Sequence, residues 1–118
     1  MKVRSVFAIC AATFVFTIPA QAADPTYVGT WGIDAAQCKV PQEQEGAPMI
    51  ITANGYDQHE AHCTFTSAKT EGLLSIIAAD CSVEGDSQNV SLELEVTGDV
   101  LILGRSTTKA ARKLVRCK

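Results

Sequence analysis

The sequence predicts an all-β domain, a small antiparallel meander closed into a barrel and held by two disulfides, and three observations predict it. Residues 90–97 alternate Val90, Leu92, Leu94 and Val96 with Ser91, Glu93, Glu95 and Thr97, a period of two that a half-buried strand explains. Short apolar runs punctuated by Gly, Asp and Asn recur along the chain, with few long helical patterns. Cys38, Cys63, Cys81 and Cys117 lie in a short chain that opens with an export signal, where such a set reads as a disulfide framework.

The export signal comes first. Lys2 and Arg4 precede an uncharged, mainly apolar stretch over 6–18; Pro19 breaks it, and Ala20-Gln21-Ala22 supplies a small-residue cleavage site. Residues 1–22 are therefore expected to be a signal peptide and 23–118 a single disulfide-stabilised domain, in the bacterial periplasm or secreted. A membrane-spanning helix needs ~20 apolar residues, so this stretch is too short to be an anchor. Cys10 follows the bulky Ile9 and is read as part of the discarded apolar run rather than a lipid attachment point.

Removing the signal leaves eight basic and thirteen acidic side chains, a formal charge of −5. A domain under 100 residues buries only roughly 60–65% of its unfolded surface, so cross-links are expected to supply what a small core cannot. None of the four cysteines forms a Cys-x-x-Cys pair, which removes the zinc-knuckle and thioredoxin-like readings.

Gly98-Asp99 after residue 97 reads as a two-residue turn. Folding back across it sets Val96 against Leu101 and Leu94 against Leu103, so one face of the hairpin stays apolar. Further strands are expected at 27–33, 48–53, 58–67, 73–83 and 111–117, with turns at 54–55, 69–72 and 85–88. Residues 34–37 read as one helical turn capped by Asp34, and 41–46 as a polar loop. Seven sequential strands on so short a chain favour closure into a barrel, which removes exposed edges; a two-sheet sandwich is the alternative. Cys63 and Cys81 lie on consecutive strands, one β-bulge away from facing each other across a turn at Glu71-Gly72. That pairing, with Cys38 to Cys117 closing the barrel, is the expected connectivity. Cys38–Cys63 with Cys81–Cys117 is the rival.

Gly29-Thr30-Trp31 on the first strand, followed by Cys38, resembles the opening of calycin-type barrels, the lipocalins and the small periplasmic metalloprotease inhibitors. The size is similar to the inhibitors and too short for a lipocalin. The resemblance implies a barrel and, through the inhibitors, a protein partner. The chain departs from the inhibitors in having two disulfides and only four residues, 23–26, between the cleavage site and the first strand. On residue grounds alone, Trp31 reads as a plug at one end of the core.

No catalytic signature stands out. His59 and His62 are read on one strand, where residues three apart face opposite sides, so a shared metal is not expected. Ser106-Thr107-Thr108-Lys109 matches a Ser-x-x-Lys spacing that needs a far larger domain around it. Asn89-Val90-Ser91 is a glycosylation sequon by letters only. Glu93 and Glu95 fall on a solvated strand face, and no Ser, His and Asp appear in a familiar order. The expectation is a protein without catalytic chemistry, cofactor or metal.

Charge is polarised along the chain. Residues 105–118 carry Arg105, Lys109, Arg112, Lys113, Arg116 and Lys118 with no acid, while all thirteen acids precede them. This basic edge is the candidate partner-binding feature; the plain alternative is a solvated strand edge. Export and net negative charge disfavour nucleic acid. Two functions follow. The first, and favoured, is a binding module, an inhibitor of an envelope or secreted enzyme, presenting the 39–48 loop and the basic edge to a protein. The second is an envelope-associated structural or lipid-binding protein held on an anionic surface.

Overall fold

A computed structural model describes residues 10–17, 24–104 and 111–118. Eight strands follow one another: β1 (Gly29–Gly32), β2 (Met49–Ile51), β3 (Gly55–Gln58), β4 (Ala61–Glu71), β5 (Leu74–Val83), β6 (Asp86–Thr97), β7 (Val100–Leu103) and β8 (Arg112–Arg116). Each pairs antiparallel with the next, and β1 pairs with β8, so the meander closes into a barrel. The seam consists of Trp31 opposite Arg116 and Gly32 opposite Val115. The sandwich alternative is thereby set aside.

Inward-facing residues of every strand fill the barrel. Trp31, Ile51, Ile77, Leu94 and Leu101 are fully buried, joined by Tyr27, Met49, Val96 and Leu114. The hairpin of β6 and β7 has the expected register, with Val96 opposite Leu101 and Leu94 opposite Leu103 around Gly98-Asp99. Beside the main core, Cys63, Ala79 and Cys81 form a smaller buried cluster flanked by Tyr56, Phe65, Val83 and Val90.

Both expected disulfides form, Cys38–Cys117 and Cys63–Cys81. The inner one is reached by a different route from the one anticipated. The β4–β5 turn lies at Gly72-Leu73, one residue late, with Gly72 at a positive φ of 62° and Glu71 opposite Leu74. A bulge between Phe65 and Ser67 then absorbs one residue of β4, and Cys63 arrives opposite Cys81.

The run read as one strand over 58–67 is in fact two. β3 ends at Gln58, His59-Glu60 turn the chain with His59 at φ 50°, and β4 begins at Ala61. Asn54 and Gly55, expected in a turn, straddle the start of β3 instead. Gly55 sits so close to β4 that a Cβ there would collide with the Cys63 carbonyl oxygen. Gly55→Ala is therefore expected to lower stability by roughly 1–3 kcal/mol through backbone displacement, read as a shift of the urea midpoint. β6 also starts earlier than its alternation suggests, because Glu84 and Gly85, at φ 51° and 87°, form a tight turn. The ladder then runs from Val83 opposite Asp86 to Leu74 opposite Glu95.

Candidate functional site

The β1–β8 seam and the loop after β1 gather several of the features singled out in the sequence. Beyond β1, Asp34 Oδ1 accepts the Gln37 N–H at 2.8 Å and starts a short 3-10 turn, Gln37–Lys39, which places Cys38 for its bridge to Cys117. Ala35, Cys38, Lys39, Val115, Arg116, Cys117 and Lys118 line a depression of ≈ 260 Å³ around that disulfide. Ala35, Val115 and the bridge make part of its lining apolar. Its rim carries Lys39 and Lys118, both exposed.

Three glutamines hold the adjoining 39–48 loop in shape. Gln42 Nε2 donates to the Pro48 carbonyl at 2.8 Å, and its Oε1 accepts the His59 N–H at 3.2 Å. Gln58 Nε2 donates to the Ala47 carbonyl at 3.0 Å, and Gln37 Nε2 to the same oxygen at 3.4 Å. The His59 ring adds a bond from Nδ1 to the Gln42 carbonyl oxygen at 3.1 Å. Ala47 and Pro48 are buried at the base of the loop, whereas 43–46 are exposed at its tip.

The basic residues do not share one edge, because β8 is paired on both sides, with β7 and β1. Arg112, Leu114 and Arg116 share the inward-facing parity, with Leu114 buried between them and Lys113 on the opposite face. The Arg112 charge acts on Tyr56, countering in part the burial that pushes that phenol above its ordinary pKa. Lys118 lies 3.8 Å from Asp99. Arg105 and Lys109 lie outside the described residues, as does the Ser106–Lys109 motif.

Arg116 has a role that the sequence reading missed. Its guanidinium lies 4.3 Å above the Trp31 ring, donates to the Val28 and Thr26 carbonyls at 3.0 and 3.1 Å, and places Nε 3.3 Å from Asp99 Oδ1. Trp31 Nε1 in turn donates to the Tyr27 carbonyl at 2.9 Å. Gly29, at φ 152°, leaves the room this needs, since a Cβ there would meet the guanidinium. The Gly-x-Trp spacing thus has a physical account: a gap for an arginine and, two residues on, the ring it covers. Arg116→Lys keeps the charge but loses the planar fork, and is expected to lower stability by about 2 kcal/mol in urea denaturation.

The two histidines are apart in role. His59 is in the turn and bonded to the loop, and His62 is exposed on β4 with Nδ1 2.7 Å from Asp57 Oδ1. Among the described residues no cluster of three or more His, Cys, Asp or Glu could hold a metal, and no helix is long and apolar enough to cross a membrane. Residues 1–9 and 18–23, which include most of the expected signal peptide and its expected cleavage site, lie outside the described residues. No protein family, curated protein or solved structure was found to match this chain.

Proposed function

We propose that the chain is an exported binding module that docks a protein of the envelope or medium, an enzyme it inhibits, through the surface where the 39–48 loop meets the Cys38–Cys117 bridge. The observation that carries this reading is the stapling of that loop by Gln37, Gln42 and Gln58. A loop already held in one shape gives up little entropy on binding, which is how rigid recognition surfaces gain affinity. The adjoining depression adds a partly apolar lining and the Lys39 and Lys118 ammonium groups, so an acidic, partly apolar protein surface complements it. The side-chain-filled barrel interior favours recognition at the surface over a ligand held inside.

The test uses mature protein, recovered from the periplasm or medium and immobilised. Intact mass should show a chain starting at Ala23 with no free thiol. An envelope extract should yield one protein retained at 0.5 M salt, where the Debye length is only about 4 Å, and lost when 43–46 are replaced by Gly and Ser. Retention on anionic vesicles that disappears with salt, without a salt-resistant protein partner, would overturn this reading in favour of the envelope-surface alternative.

A further inference from the structure

Strand register builds a row of side chains that chain order conceals. Asp57 on β3 is opposite His62 on β4, His62 is opposite Ser82 on β5, and Ser82 is opposite Ser87 on β6. The row lies on the outer surface, since Cys63 and Cys81, the next residues on β4 and β5, are buried while His62, Ser82 and Ser87 are exposed. Directly opposed Cβ atoms are about 4.5–5.5 Å apart, so one imidazole can reach a neighbour on each side. Asp57 Oδ1, 2.7 Å from His62 Nδ1, accepts that nitrogen's proton in a hydrogen bond. This sets the tautomer in which Nε2, across the ring from Asp57, keeps its lone pair. His62 and Ser82 line the same open depression of ≈ 630 Å³, together with Thr64, Asp80, Ser87 and Asn89.

We propose that Asp57, His62 and Ser82 form a surface acyl-transfer site, with Ser82 as nucleophile and small, uncharged, activated esters as the substrate class. Asp57 positions the ring, His62 is the base, and the roles follow those of Ser-His-Asp hydrolases. Ser82 Oγ attacks the ester carbonyl while its proton passes to His62 Nε2. The carbonyl–oxygen bond to the leaving group then breaks, and the alkoxide or phenolate leaves with that proton. Water next attacks the acyl-serine, gives a proton to Nε2, and releases the carboxylic acid as Ser82 recovers its hydrogen.

Asn89, diagonal to Ser82 and directly opposite Asp80 across β5 and β6, lines the same depression. Asp80, on the same face two residues from Ser82, repels anionic acyl groups and so selects neutral ones. Ser82 Oγ makes no hydrogen bond with His62 in the resting structure; a turn about χ1 brings the hydroxyl toward the ring, and resting sites commonly show such slack. The open depression does not exclude water, so peptide bonds are outside the site's range and activated esters within it. These residues are separate from the proposed docking surface, and register, not chain order, assembles them.

The experiment is acetylation by p-nitrophenyl acetate, followed by intact mass and peptide mapping of the mature, disulfide-bonded protein. With the reaction quenched in acid within the first turnover, before water clears the acyl-serine, one acetyl group mapped to Ser82 is expected. Its formation should slow about a hundredfold in His62→Ala and recover when free imidazole is added, a rescue that a merely structural role would not give. Ser82→Ala should lose the label with an unchanged circular dichroism spectrum. Acetylation of the wild type at lysines but not at Ser82 overturns the proposal without any variant. So does labelling of Ser82 at an equal rate in wild type and His62→Ala.

Discussion

Replacing Cys38 and Cys117 together by alanine is expected to lower the unfolding free energy by about 4.5 kcal/mol, whereas replacing Cys63 and Cys81 costs about 3. The chain-entropy estimate follows the spans that the bridges close, 79 and 18 residues. The surroundings push in the same direction. Cys63 and Cys81 sit within a ladder of ten paired positions that persists without them, while Cys38–Cys117 reinforces a seam with only two. Without the outer bridge, the 3-10 turn loses its covalent link to the end of β8, which is then held by the Cys117 N–H to the Thr30 carbonyl at 2.8 Å and by the contacts of Arg116. Urea denaturation of the two double variants, with far-ultraviolet circular dichroism to confirm the fold, measures the difference. A smaller loss for the outer pair would mean that the β1–β8 seam holds without its bridge.

Leu94→Asp is expected to cost roughly 3 kcal/mol or more, because it places an unpaired carboxylate in the core. Leu94 is only 1% exposed, opposite Ser75 on one side and Leu103 on the other. Ser75, whose hydroxyl lies 3.0 Å from Thr70 Oγ1, could offer such a carboxylate at most one neutral hydrogen bond and no compensating charge. Ser91→Asp adds the same charge to the same strand on the outer face, where Ser91 is exposed, and should change stability by about 0.5 kcal/mol or less. Thermal melts of the pair read the contrast directly. Equal losses would contradict the facing of β6.

These two variants also mark where the sequence is informative. Leu94 belongs to a strand whose period of two is visible letter by letter, and the β6–β7 register follows from it together with the Gly98-Asp99 turn. The cysteines are legible for another reason: their chemistry restricts them to few partners, and strand order narrows the choice. β3 lacks such a signal. Tyr56 is the only large apolar residue in Gly55-Tyr56-Asp57-Gln58, and what makes this segment a strand is the close approach that Gly55 permits to Cys63. The polar start of β6, Asp86–Asn89, is exposed throughout and so shows no alternation.

The candidate sites divide along the same line. The 39–48 loop and Lys118 could be named from composition and charge. The glutamine staples could not, because each reaches a backbone carbonyl placed only by the fold. Arg116 reads as one more surface cation until the seam sets it opposite Trp31, 85 residues earlier in the chain. Missing the turn at His59-Glu60 hid the pairing of Asp57 with His62, which that tight turn makes local.

The seam sets a timetable for maturation. β1 is among the first segments of the domain to be synthesised and β8 the last, yet the Trp31–Arg116 contact needs both. Until the final residues emerge, the earlier strands can form hairpins but cannot close, and pairing over so long a separation is slow. A nascent chain of this design stays open until its last strand is made. The Cys38–Cys117 bridge, which clamps that seam, can form only once β8 is available.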